Sequence, residues 1–144
     1  MIVGSRRVLL SIALAAAMGH ACAQSATPLA TAPTTNPDWT KSEIVTVTMT
    51  EYEFAPRRLV FHVGVPTRLR LLNIGTEIHD FTAPDLLMAI DLKDPKILGS
   101  SGIGVPVEPH QQKDVEFVAR VPGHFGLICA DHDWAGMVAD IVVE

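Results

Sequence analysis

Residues 122–137 read PGHFGLICADHDWAGM, and the second half of this stretch, Cys129 to Met137, has the spacing C-x2-H-x4-M. A cysteine thiolate and a methionine thioether are soft donors that favour Cu(I), and imidazole accepts either oxidation state of copper. Zinc is disfavoured, because its sites are built from thiolate, imidazole and carboxylate rather than thioether. Gly136 lets the chain turn back so that Met137 points at an ion also held by Cys129 and His132. A short loop between two strands thus delivers three ligands to one copper ion and leaves a fourth to come from elsewhere.

The sequence around this loop is β almost throughout. Glu43–Thr50 (EIVTVTMT) alternates, with Val45, Val47 and Met49 on one face. Arg58–Val63 is a second run. Thr67–Asn73 is a third, with Leu69 and Leu71 inward, and Asp114–Arg120 points Val115, Phe117 and Ala119 inward. His124–Ala130 and Met137–Val143 flank the ligand loop. Pro56, Gly64, Pro66, Gly75, Pro106, Pro109, Pro122 and Gly123 punctuate the runs. Short strands with turn signals about every ten residues predict an all-β antiparallel sandwich or barrel. Asp85–Leu98 breaks the pattern and reads as a short helix or an irregular crossover.

His79 is the best source of the fourth ligand. It follows Asn73-Ile-Gly75-Thr-Glu-Ile at the end of a strand and lies fifty residues before Cys129. Only a folded sandwich brings the two together, so the fold pre-forms the site and both oxidation states share nearly one geometry. Two His and one Cys in a plane with a weak axial Met is the arrangement of a type 1, or blue, copper centre. His62, His110 and His124 are set aside as surface or structural residues, His124 because an odd separation turns it away from Cys129 on a regular strand. Met49 and Met88 are expected to be packing residues.

The first part of the chain reads differently. Arg6 and Arg7 precede Val8–Met18, an uncharged apolar run of eleven residues, and Ala21-Cys22-Ala23 matches a small-x-small cleavage site. The run falls short of the ~20 residues that span a bilayer. Residues 1–23 are therefore expected to be a cleaved export signal, and the protein to be periplasmic. Ser5-Arg6-Arg7-Val8-Leu9-Leu10 is compatible with both the twin-arginine and the Sec route. Gly19 stands where lipoprotein signals carry Leu, which argues against Cys22 as a lipid acceptor. Residues 24–41, rich in Ala, Thr and Pro, are expected to be a flexible tether, and residues 42–144 the folded domain.

Cleavage would leave 9 Lys and Arg against 16 Asp and Glu, a net charge of about −7 where the full chain has −5. That excludes nucleic acid and anionic membrane as natural partners. It would also leave Cys129 as the one thiol of an exported protein, which cannot form an internal disulfide.

Taken together, Asn73-x-Gly75-x3-His79-Asp80 and Pro122-Gly123-x-Phe125-x3-Cys129-x2-His132-x4-Met137 resemble the small cupredoxins of the plastocyanin-like kind. The resemblance covers Glu43 to Glu144. It implies a Greek-key β-sandwich of about eight strands and one copper ion on His79, Cys129, His132 and Met137. Two departures stand out: Asp80 takes a position where many members have Asn, and the crossover that begins near Pro84 has no family signature.

The function expected is single-electron transfer between redox proteins, such as a c-type cytochrome or a copper-containing reductase or oxidase, by a monomer with no membrane span in the mature chain. The alternative is copper tolerance or delivery, which the lack of Met- and His-rich tracts disfavours. An enzyme is not expected. There is no His-x-His motif for a trinuclear cluster, and no second cysteine four residues away for a binuclear centre. Trp134, between His132 and Met137, is expected to be partly exposed and to contribute an apolar docking patch. Asp131 and Asp133 read first as solvated loop residues; the alternative is that they place negative charge near the ion and favour Cu(II).

Overall fold

The alternation read from the sequence becomes two stacked five-stranded sheets in the computed structural model, which describes residues 36–144. The expected leader, and most of the expected tether, lie outside the described residues. Trp39–Lys41 forms a single 3-10 turn capped by the Asp38 side chain, and the Lys93 ammonium sits 4.7 Å above the Trp39 ring.

Ten strands follow: β1 (Glu43–Thr50), β2 (Glu53–Ala55), β3 (Arg58–Phe61), β4 (Pro66–Asn73), β5 (His79–Thr82), β6 (Ile90–Leu92), β7 (Gly104–Val107), β8 (Gln112–Ala119), β9 (Gly123–Ile128) and β10 (Val138–Val143). One sheet has the order β2-β1-β4-β8-β6 and the other β3-β10-β9-β5-β7. Most neighbours are antiparallel, but β1 pairs with β4 and β3 with β10 in parallel. The sandwich is therefore mixed where antiparallel pairing alone was expected. A parallel pair needs a crossover connection, which between β1 and β4 runs through β3 of the other sheet, and local alternation carries no trace of it.

The core lies between the sheets. Val47 and Met49 from β1, Leu69 and Leu71 from β4, and Val115, Phe117 and Ala119 from β8 are all buried. They face Leu59, Phe61, Phe81, Val107, Leu127 and Ile141 of the opposite sheet. Phe61 and Phe117 meet edge to face with ring centroids 5.1 Å apart, an arrangement that suits the aromatic quadrupole.

The 85–98 crossover resolves into both of its readings and one more element. Pro84–Leu87 is a single helical turn (α1) with Pro at its first position, where the missing N–H costs nothing. It is followed by β6 and by a 3-10 turn at Pro95–Ile97, capped by the Asp94 side chain. Met49 is fully buried as expected. Met88 is not a packing residue: it caps α1 with 81% of its surface exposed, because the helix stops one turn after it starts and Leu86 and Leu87 are the residues it turns to the core.

Candidate metal centre

Three segments meet at one end of the sandwich. The first is the 74–78 turn between β4 and β5, built around Asn73. This side chain is fully buried, and its amide donates to the carbonyls of Glu77 (2.8 Å) and Val107 (2.9 Å) while its oxygen accepts from Gly75 N–H at 2.9 Å. A Cβ on Gly75 would lie 2.5 Å from Glu51 Oε1, so a larger residue there would displace the Glu51 carboxylate. The turn delivers His79, fully buried, to the start of β5.

The second segment is the loop after β9. Its backbone closes on itself: Cys129 N–H donates to Met137 C=O (3.1 Å), His132 N–H to Cys129 C=O (3.1 Å) and Met137 N–H to His132 C=O (3.2 Å). A 3-10 turn at Asp133–Ala135 ends on Gly136 at φ +86°, the left-handed conformation that glycine adopts without strain. Cys129 and Met137 are both fully buried.

The third segment is the β1–β2 turn, which carries no motif of its own. Its tip holds Tyr52 at φ +70°, uncommon for a bulky residue. That conformation places the Tyr52 ring 5.0 Å from the His132 ring and 5.9 Å from the Trp134 ring. Glu51, beside it, accepts from the N–H groups of Thr76 and Glu77 through one oxygen. Those bonds, the one from Thr76 foremost, hold its carboxyl down to about 2.

The structure brings His79, Cys129 and His132 together. Their facing atoms form a triangle, with His79 Nδ1 to His132 Nδ1 at 3.2 Å, Cys129 Sγ to His132 Nδ1 at 3.3 Å and Cys129 Sγ to His79 Nδ1 at 3.9 Å; its circumradius is about 2.0 Å. One point in the plane of the three atoms is thus at bonding distance from all of them, since first-row metal bonds to His and Cys run about 2.0–2.3 Å. Two imidazoles and a thiol in a plane fit copper. The electrostatics fit it too. Burial, together with the nearness of His132, holds His79 below the ordinary imidazole value, so it is neutral and has a lone pair to give. His79 Nε2 is buried without a hydrogen-bond partner among the described residues. Burial pushes the Cys129 thiol up to about 11, so metal binding must expel its proton.

Asp80 ties two of these segments together. Its N–H points at Cys129 Sγ (3.5 Å), while its carboxylate accepts from Ala130 N–H (3.1 Å) and from Thr82 Oγ1. Cys129 Sγ lies 3.4 Å from its Oδ2. An aspartate therefore supplies the cross-link between the two loops, and does so with a negative charge beside the sulfur.

The other histidines among the described residues are elsewhere. His62 pairs with Glu43, Nδ1 to Oε2 at 2.9 Å, and His110 and His124 are exposed. Glu51, Tyr52 and Glu77 are the site residues that sequence reasoning missed.

With the geometry in view, the likeness to known structures is informative. The chain is similar to auracyanin B, with 17% identity and a TM-score of 0.53 over 70% of this chain and 88% of that one. It is similar to dithionite-reduced auracyanin from the photosynthetic bacterium Roseiflexus castenholzii, with 14% identity and a TM-score of 0.55 over 72% and 98%. The fold is that of the cupredoxins. A multi-copper oxidase from Pediococcus acidilactici also matches, with 18% identity and a TM-score of 0.55, but only over 27% of its length and 75% of this chain. No family model matches the sequence, and no curated protein matches it either, so the likeness to this fold is one of structure.

Proposed function

We propose that the protein carries single electrons on one type 1 copper ion held by His79, Cys129 and His132, with Met137 as the axial ligand. The observation that carries this reading is the donor triangle: three side chains from two distant parts of the chain leave one point about 2.0 Å from each facing atom. A site so closed needs little rearrangement when the ion changes charge, which favours electron transfer. The burial of Met137 in the same loop supports its axial role.

The partners are redox proteins, such as a c-type cytochrome or a copper-containing reductase or oxidase. The apolar run Val8–Met18, read as an export signal, supports a periplasmic location. Among the described residues, no helix is long and apolar enough to cross a membrane. Carriage is favoured over copper storage or delivery by the burial of the donor set.

Visible absorption and electron paramagnetic resonance of the copper-loaded protein test the reading. An intense thiolate-to-copper band that disappears in Cys129→Ala is expected. A colourless protein that takes up zinc as readily as copper would overturn it.

A further inference from the structure

We propose that Glu77 is the positioning residue for His132 and, through it, lowers the reduction potential of the copper centre. The inference rests on the copper reading above. Glu77 Oε2 lies 2.9 Å from His132 Nε2, and the His132 side chain is only 12% exposed. A carboxylate only accepts hydrogen bonds, so Nε2 bears the proton and Nδ1 presents its lone pair. Nδ1 is the atom that faces Cys129 and His79. The contact therefore selects the tautomer that binds metal and fixes the rotation of the ring.

Glu77 is itself held in place. Its N–H donates to Glu51 Oε1 (3.3 Å) and its C=O accepts from Asn73 Nδ2 (2.8 Å), so its backbone is pinned on both sides. Across the ring, Tyr52 packs against the same imidazole. The two histidines are unequal in this respect, because His79 Nε2 has no partner. Electrostatic tuning by a hydrogen-bonded carboxylate thus reaches the ion through His132. A carboxylate on the outer nitrogen makes the imidazole a stronger donor, which stabilises Cu(II) more than Cu(I).

The test compares copper-loaded wild type with Glu77→Gln, Glu77→Ala and Glu53→Gln. Glu53 is a control carboxylate in the neighbouring β1–β2 hairpin, paired with Arg57. All variants keep the four ligands, so all are expected to keep the thiolate-to-copper band. Loss of Glu77 is expected to weaken Cu(II) binding about tenfold relative to Cu(I), a rise in potential of about 59 mV for one electron, larger for Ala than for Gln. In the diamagnetic Cu(I) protein, the His132 Nε2 proton is expected to exchange slowly in wild type and rapidly in Glu77→Ala. Potentials and exchange rates in both Glu77 variants that match the Glu53→Gln control would overturn the proposal, even with the copper band intact. Absence of that band in wild type would instead overturn the copper reading.

Discussion

Asn73 shows how much of this site depends on one side chain that touches no metal. It is fully buried, and its three hydrogen bonds shape the turn that carries both Glu77 and His79. Asn73→Ala leaves the Val107 carbonyl and the Gly75 N–H without their partner. At about 1–3 kcal/mol for each of the two buried groups left unsatisfied, the variant should lose about 2–6 kcal/mol in urea unfolding. Asn73→Asp should be worse, since it sets a carboxylate against two carbonyl oxygens. A loss below about 0.5 kcal/mol for Asn73→Ala would show that the turn stands without it. Gly136 makes a useful contrast. A Cβ there meets nothing within 4 Å, so Gly136→Ala carries only the strain of φ +86°, about 1–2 kcal/mol.

At the scale of elements, β4 and β8 are joined by more than their ladder. Arg68 sits opposite Glu116 and Arg70 opposite Asp114 in the register, and both pairs are hydrogen-bonded across the strands. Bonds from Arg70 hold Asp114 below its ordinary 3.8, and bonds from Lys93 and Arg68 hold Glu116 below its ordinary 4.5. Carboxyls depressed in the folded state add stability that is present above those ordinary values and is lost as pH falls through the folded ones. The urea midpoint should therefore drop as pH is lowered below about 4.5, and the Asp114→Asn, Glu116→Gln double variant should show a shallower drop. Parallel curves for the two proteins would rule these pairs out as the source. The alternation of β1, β4 and β8 was legible in the sequence because each has one face on the core and one on solvent. The short strands β2, β6 and β7 were not, since three or four residues hold too little of the period to register. His79, Cys129 and His132 could be found from spacing and ligand chemistry alone. Glu51, Tyr52 and Glu77 could not: each is an ordinary surface residue type, and its place at the site comes from contacts with segments 25 to 80 residues away in sequence.

On the scale of the whole molecule, charge is sorted. Among the described residues, Lys41, Arg57, Arg68, Arg70, Lys93 and Arg120 all form ion pairs with carboxylates. Among the described residues, no lysine or arginine pairs with Glu51, Glu77, Asp131 or Asp133, which surround or flank His132. The end that holds the donor triangle thus carries carboxylates without a lysine or arginine partner, in a chain whose net charge is −5. In the middle of that charge stands Trp134, 77% exposed, its indole N–H tied to the Asp131 carbonyl at 2.9 Å and its ring against Tyr52. Charge steers a partner over distances up to the Debye length, about 8 Å at physiological salt, and an apolar ring contributes only on contact. These two effects separate in a stopped-flow experiment with a basic c-type cytochrome as the electron partner. The second-order rate constant should fall as ionic strength rises. Trp134→Ala should slow the reaction at every ionic strength while leaving the salt slope and the copper spectrum unchanged, because it removes contact area and no charge. Asp131→Asn combined with Asp133→Asn should flatten the slope instead. A rate that ignores salt, or a Trp134→Ala protein that reacts at the wild-type rate, would move the docking face away from this end of the sandwich.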